Sequence, residues 1–486
     1  MPNSSHLDLQ AVAKEVMREH GFNPDFPPEV QQQLAALRAH PPQMDVTKDV
    51  RDLRNLLWSS IDNDTSRDLD QIEVAQRVQN GDTKIMVGIA DLDGYVPQGS
   101  AMDLHAASET TTVYAGVRNF PMLPEELSNG KTSLLENQDR LGVVVEFVVD
   151  AGGHVNSSDV YCALLRNRAQ LQYNSTGAWL EGTAAAPPKL AFSTELQAQL
   201  QLQNETAQRL RNLRHEQGAL SLETEELMPL VLDEKVVGVV SQQKNPATDL
   251  IEDFMIAANG VVARFLERVS SLRRIVRVPA RWDRIVQLAA DYGDKLPPDP
   301  DSKSLNDFLL RRKAASPEQF PDLSLAVVKL IGPGEYVLER PGDHAPGHFG
   351  LAVQDYTHST APNRRFADVV GQRSIKALLA GKPNPYSDGE LSAIAANCTA
   401  KENAARKVER EMTKRLAAVS MQHRIGVVFG AVVTGVTPNG TFVRIAQPPV
   451  EGLLAQGQSG VDVGDKMRVR LVRVDPQRGF IDFARV

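Results

Sequence analysis

Five acidic side chains fall within the fourteen positions from Ser60 to Glu73, Ser-Ile-Asp-Asn-Asp-Thr-Ser-Arg-Asp-Leu-Asp-Gln-Ile-Glu, interleaved with short apolar ones. Carboxylates packed this closely repel one another unless something positive shares them. Read as a loop running into a strand, Asp68 and Asp70 alternate with Leu69 and Gln71 and so project from one face, and Asp62, earlier in the loop, folds back to join them. Oxygen ligands of this kind suit a small hard cation. Mg²⁺ takes one or two carboxylates and keeps waters and phosphate oxygens, which is the arrangement of a phosphodiester-cleaving centre. A second reading fits the same residues: Asp62, Asp64, Ser66, Asp68, Asp70 and Glu73 occupy positions 1, 3, 5, 7, 9 and 12 of a calcium loop, although Arg67 stands where that loop turns on glycine.

A phosphate needs cations, and the stretch Tyr356-Thr-His-Ser-Thr-Ala-Pro-Asn-Arg-Arg-Phe-Ala-Asp368 supplies two at the start of a predicted helix. Arginines in a first helical turn oppose the macrodipole unless they face an anion, so Arg364 and Arg365 read as a phosphate cradle. Glu252 lies on a predicted amphipathic helix over 249–267 and reads equally as a ligand contact or as part of a capping box with Asp249.

The elements that must position these residues are those of an α+β chain. Residues 1–45 read as two short helices, 7–20 and 28–40, either a helix-turn-helix pair or a cap over a larger body. Residues 46–422 alternate apolar strands, such as 84–92 and 141–150, with amphipathic helices, and end in a long helix over 387–421. Residues 423–486 break into short strands separated by Gly and Asn, the pattern of an OB-type barrel, whose usual ligand is single-stranded nucleic acid. The chain's net charge of −8 is unevenly spread, because residues 400–486 hold 14 Lys/Arg against 8 Asp/Glu. That end is where phosphate contacts are expected. Two distant cysteines, Cys162 and Cys398, argue against a disulfide framework or a zinc site and for a reducing cytoplasm. The first residues show no signal-peptide pattern and the apolar runs are strand-sized, so no membrane span is expected.

In their order, the motif around Asp62–Asp70, Val87-Gly-Ile-Ala-Asp91, Phe120-Pro-Met-Leu-Pro-Glu-Glu-Leu-Ser-Asn-Gly130, Leu250-Ile-Glu-Asp-Phe-Met255, Gly347-His-Phe-Gly-Leu-Ala352 and Tyr356 through Asp368 resemble the ribonuclease II superfamily of 3′→5′ exoribonucleases over about residues 46–486. The tail resembles the ribosomal S1-like RNA-binding barrel of those enzymes. The resemblance implies an RNB-type catalytic domain with a mixed sheet, processive hydrolysis of single-stranded RNA 3′ ends to nucleoside 5′-monophosphates, Mg²⁺ (or Mn²⁺) as cofactor, and a cytoplasmic monomer without an obligate protein partner. It makes Asp62, Asp68 and Asp70 metal-site carboxylates, Asp70 and Arg364 catalytic, and Tyr173, Glu252, Arg364, Arg365, Phe442 and Arg444 RNA contacts. Three positions depart from the family pattern. Gln71 replaces the fourth carboxylate with an uncharged oxygen ligand. Leu222 replaces a stacking Phe, and Asn439 stands where related barrels carry Phe. The alternative class is a non-catalytic RNA-binding regulator on a decayed scaffold.

Overall fold

The computed structural model describes residues 7–42, 49–78, 80–223, 226–232, 235–242 and 244–486, with side chains described outside 224–243. Its centre is a mixed seven-stranded sheet in the order β1-β8-β7-β4-β3-β2-β9, formed by β1 (Arg51–Asp52), β2 (Ser59–Asp62), β3 (Gln71–Arg77), β4 (Thr83–Ala90), β7 (Asp139–Val149), β8 (Val155–Arg166) and β9 (Ala169–Gln172). A small hairpin, β5 (Val113–Tyr114) and β6 (Asn119–Phe120), lies outside it.

β4 shows why the sheet ends up in the middle. Its side chains are apolar in both registers, and alternation sends Ile85, Val87 and Ile89 to one face and Met86 and Ala90 to the other. On the first face they meet helices α6 (Thr194–Glu216) and α7 (Pro246–Phe265), through Leu200, Leu250 and Phe254. α4 (Tyr173–Leu180) and α5 (Pro188–Ala191) lie at the edge of this layer. On the second face lie α3 (Ala101–Glu109) and α11 (Phe366–Leu379), with Met102, Ala106, Val369 and Val370 against the sheet.

The N-terminal helices are a cap. α1 (Leu9–Glu19) buries Ala13, Val16 and Met17 against Ala405, Val408 and Met412 of the long helix α12 (Asp388–Met421), while α2 (Pro28–Ala39) joins the second-face core through Val30 and Leu34. α12 starts at a capping box between Ser387 and Glu390.

The hairpin β10 (Glu226–Leu232) and β11 (Lys235–Gln242) precedes α7. β12 (Ser271–Ile275) and β13 (Glu335–Glu339) pair antiparallel across a helical excursion of α8 (Trp282–Asp291), α9 (Ser302–Ala315) and α10 (Phe320–Ile331), which has its own core of Trp282, Phe308 and Phe320. The chain ends in a closed barrel, β14-β15-β16-β18-β17, made of β14 (Val428–Thr437), β15 (Gly440–Ile445), β16 (Val450–Gln456), β17 (Lys466–Asp475) and β18 (Phe480–Arg485). The barrel core takes in Ala417, Ala418 and Met421 from the end of α12. Among the described residues, no helix is long and apolar enough to cross a membrane.

Candidate active site

β2 and β3 are antiparallel neighbours, with Ser59 opposite Glu73, so the loop between them returns to the sheet end where Asp62 sits. That loop is pinned on both sides of Asp70. Ala90 N–H donates to the Asp70 carbonyl at 2.9 Å, Leu134 N–H to the Leu69 carbonyl at 2.9 Å, and Leu69 N–H to Ser133 Oγ at 2.9 Å. The second arginine-bearing stretch is laid against the same place. Thr112 N–H donates to the Arg364 carbonyl at 3.0 Å, Phe366 N–H to the Thr110 carbonyl at 2.8 Å, and Asn363 N–H to Asp70 Oδ1 at 2.8 Å. The two stretches singled out in the sequence therefore meet.

Asp70 is 3% exposed, and its Oδ2 has no hydrogen-bond partner. Arg364 Nε stands 3.5 Å from that oxygen, while the arginine side chain itself is 43% exposed. Burial pushes the Asp70 carboxyl up to about 7, against the pull of Arg364. Burial also raises Asp62, where Asp68 adds to the effect and Arg364 opposes it, and raises Asp68, again against Arg364. These mutual influences place Asp62, Asp68, Asp70 and Arg364 within one electrostatic neighbourhood.

An orphaned, buried carboxylate oxygen beside two further carboxyls with raised affinity for protons is a donor set that a hard divalent cation fits, because the cation would return all three to their charged form. Among the described residues no group of three or more His, Cys, Asp or Glu side chains is already arranged to hold a metal ion. An open set is what Mg²⁺ uses, with water and phosphate completing its shell. The calcium-loop reading fails on geometry. Asp64, its third position, is exposed, and Glu73, its twelfth, is 1% exposed inside the sheet, paired with Ser59 and Val87.

The remaining sequence candidates divide. Gln71 opens β3 opposite Ile89, one residue after Asp70, and is partly buried. Tyr173 opens α4 directly after β9, whose Gln172 pairs with Asp62. Its phenol is raised by burial and then by Asp62 and Glu73, against Arg364, so it belongs to the site. Arg365 does not. It caps α11 and is held by Asp368 through Nε at 2.9 Å and a terminal nitrogen at 2.7 Å, so the double-arginine cradle reduces to Arg364 alone. Glu252 is exposed on α7 and ion-paired with Lys244 at 2.6 Å. The expected capping box of Asp249 with Glu252 is displaced by a turn, because Pro246 takes the first helical position and Asn245 with Thr248 forms the box. Leu222 is partly buried against the core of the helical excursion. In the barrel, Phe442 is half-buried on β15, and Arg444 is ion-paired with Asp322 of α10 at 3.0 Å, which fastens barrel to body.

Two site residues escaped the sequence reading. Tyr114 is 40% exposed on β5, and its phenol, raised by burial, also feels Arg364, Asp68, Asp70 and Asp62. In the run Thr-Thr-Val-Tyr-Ala it reads as part of a core strand. Asn363 is 1% exposed, accepts from Thr132 Oγ1 at 2.5 Å and holds Asp70 through its backbone, a role with no sequence signal.

Comparison with known proteins accords with this geometry. Residues 50–381 match the RNB domain, and residues 427–486 match the RNase II-type exonuclease C-terminal S1 domain. Ribonuclease R of Thermotoga maritima is 31% identical over an alignment covering 99% of this chain and 70% of that protein. Ribonuclease R of Escherichia coli is 30% identical, over 96% of this chain and 61% of that enzyme. Among solved structures, Mycoplasma genitalium RNase R in complex with ribose methylated single-stranded RNA superposes with a TM-score of 0.86 at 21% identity, covering 99% of this chain and 78% of that one. The chain belongs to the RNB-domain family of 3′→5′ exoribonucleases and carries that family's S1-type barrel at its C-terminal end.

Proposed function

We propose that this chain hydrolyses single-stranded RNA processively from its 3′ end, releasing nucleoside 5′-monophosphates, as a cytoplasmic, monomeric enzyme that uses Mg²⁺, with Mn²⁺ as the substitute ion. The observation that carries the reading is Asp70 Oδ2, buried, without a hydrogen-bond partner and 3.5 Å from Arg364 Nε, whose side chain is 43% exposed. Asp62, Asp68 and Asp70 would hold the ion, which when bound supplies polarisation of water and neutralisation of phosphate charge. Arg364 donates to the non-bridging oxygens of the scissile phosphate and stabilises the charge that builds there. Asn363 and the Leu69–Leu134 contact keep Asp70 from following the substrate. Tyr114 and Tyr173 offer aromatic faces to the last bases. Water oxygen bonds to phosphorus, the bond to the upstream 3′ oxygen breaks, and that oxygen leaves with the proton.

The second reading, a non-catalytic RNA-binding regulator, is favoured by Gln71, which is uncharged where the family pattern carries its fourth carboxylate. Incubation with 5′-labelled oligo-RNA and Mg²⁺ separates the two. The exoribonuclease gives a ladder that shortens from the 3′ end, and a mobility shift without shortening gives the regulator. In the same assay Asp70→Asn loses turnover by orders of magnitude, with RNA affinity equal or tighter because a negative charge beside phosphate is gone. Asp64→Asn, exposed and outside the site, keeps it. Activity surviving Asp70→Asn but not Asp64→Asn refutes the assignment of the loop.

A further inference from the structure

Barrels of this kind meet nucleic acid with cations and aromatics, yet the face carrying Phe442 and Arg444 has little positive charge to offer. Arg444 is neutralised by Asp322, and its cross-strand neighbour on β16 is Glu451, which also accepts from Thr434 Oγ1 at 2.7 Å. β17 is different. From 466 to 474 it reads Lys-Met-Arg-Val-Arg-Leu-Val-Arg-Val, with no acidic residue. Val469 and Leu471 fill the barrel core, so alternation turns Arg468 and Arg470 outward, and both are exposed and free of carboxylate partners among the described residues. Residues two apart on a strand stand about 6.7 Å from one another on the same side. Lys466 continues the row, with only a solvated contact to Glu318, the two side chains being 73% and 82% exposed.

The row does not end with the barrel. The turn between β17 and β18 closes on α12 so tightly that a Cβ at Gly479 would meet the Cβ of Lys414 at 3.0 Å, and Arg415 Nε donates to the Gln477 carbonyl at 2.9 Å. From Lys414, the exposed and likewise unpaired Arg410 and Lys407 follow at helical spacing on the outer side of α12, spanning about 10 Å. One residue before Arg410, Glu409 accepts from the backbone N–H of Tyr114, which belongs to the catalytic neighbourhood. At the barrel end, Phe480 is 52% exposed and pairs with Asp475 at the close of β17, giving this side an aromatic.

We propose that the RNA-holding surface of the barrel is the outward side of β17, continued by the Lys414–Arg410–Lys407 row of α12, and that it carries the phosphate backbone of a single strand toward the site. The proposal rests on the RNA reading above and names the surface that reading leaves open. Phosphate contacts dominate affinity and show as salt dependence, with about 0.7 of slope in log affinity against log salt per contact to a single strand. Stacking contributes affinity without salt dependence.

The test compares full-length variants binding a labelled 20-nucleotide oligouridylate in EDTA, which keeps the probe intact, across a series of salt concentrations. Arg468→Gln with Arg470→Gln is expected to weaken binding about tenfold at low salt and to flatten the slope by about 1.4, two contacts' worth. The triple Lys407→Gln, Arg410→Gln, Lys414→Gln is expected to flatten the slope by about 2.1, three contacts' worth, whereas Phe480→Ala weakens binding with the slope unchanged. Phe442→Ala with Arg444→Gln leaves the slope intact. An unchanged slope in both arginine and lysine variants, or a slope lost in the Phe442/Arg444 variant instead, overturns the surface while leaving the RNA reading standing. Absence of RNA binding by the parent protein removes that reading and the surface together.

Discussion

Asp70 carries an electrostatic cost that folding tolerates for chemistry. Its carboxyl sits near 7 when folded against an ordinary value near 4, so between those values the folded chain binds a proton that the unfolded chain does not. Stability from this group is therefore complete below about pH 4 and lost as pH rises through 7. The ceiling on that loss is about 4 kcal/mol, three pH units at 1.36 kcal/mol each. Asp70→Asn should thus melt higher than the parent at pH 8 without divalent ions, match it at pH 4, and gain less than the parent when Mg²⁺ is added at pH 8. Thermal melts in EDTA and in Mg²⁺ check this, and a variant less stable than the parent at pH 8 contradicts it. At this scale the chemistry was legible because carboxylates cluster in sequence as they do in space. What was not legible was pairing. Arg364 and Arg365 are adjacent and identical in type, and only the folded positions of Asp368 and Asp70 decide that Arg365 is held through two hydrogen bonds while Arg364, beside Asp70 at 3.5 Å, stays 43% exposed.

Elements bring these residues together through close approaches that side-chain patterns do not advertise. α4, which starts with Tyr173, packs on the N-terminus of α7, and a Cβ at Gly177 would meet Asn245 Oδ1 at 2.3 Å, the atom that caps α7. Gly177→Ala should cost more than its favourable helix propensity returns, about 1–2 kcal/mol, by displacing that cap, and Asn245→Ala alone should cost about 1 kcal/mol. Denaturant melts of both singles and the double give the coupling. Additive losses would show that the contact does not join the two elements. The same principle explains where sequence periodicity succeeded and where it fell short. Long helices and β4 were readable because their burial is regular. Gly452 interrupts the alternation of β16, and the glycine lets the strand approach the Ile481 carbonyl, which a Cβ would meet at 2.5 Å. The start of α7 was misplaced because acidic residues one turn inside a helix imitate a cap that Asn245 already provides.

At the scale of the molecule, the Asp62, Asp68 and Asp70 carboxylates and the basic barrel occupy different bodies joined by α12 and by the Arg444–Asp322 pair. Under the proposed function labour divides: the sheet end would hold the reacting phosphate, and the barrel with α12 would hold the strand behind it. Removing residues 423–486 should weaken binding of a long RNA and flatten its salt dependence, since Arg468, Arg470 and the other barrel cations go with it. Cleavage of oligomers too short to reach the barrel should survive, because among the described residues the hydrogen bonds and ion pair that position Asp70 and Arg364 come from residues before 423. The cut also exposes Ala417, Ala418 and Met421, which the barrel core covers, so the truncated chain needs Met421→Gln to remain monodisperse. Turnover at saturating RNA is the deciding measurement. A KM raised with kcat intact supports a barrel that only holds substrate, whereas a kcat that collapses on a tetranucleotide means that the barrel or its grip on α12 shapes the site itself.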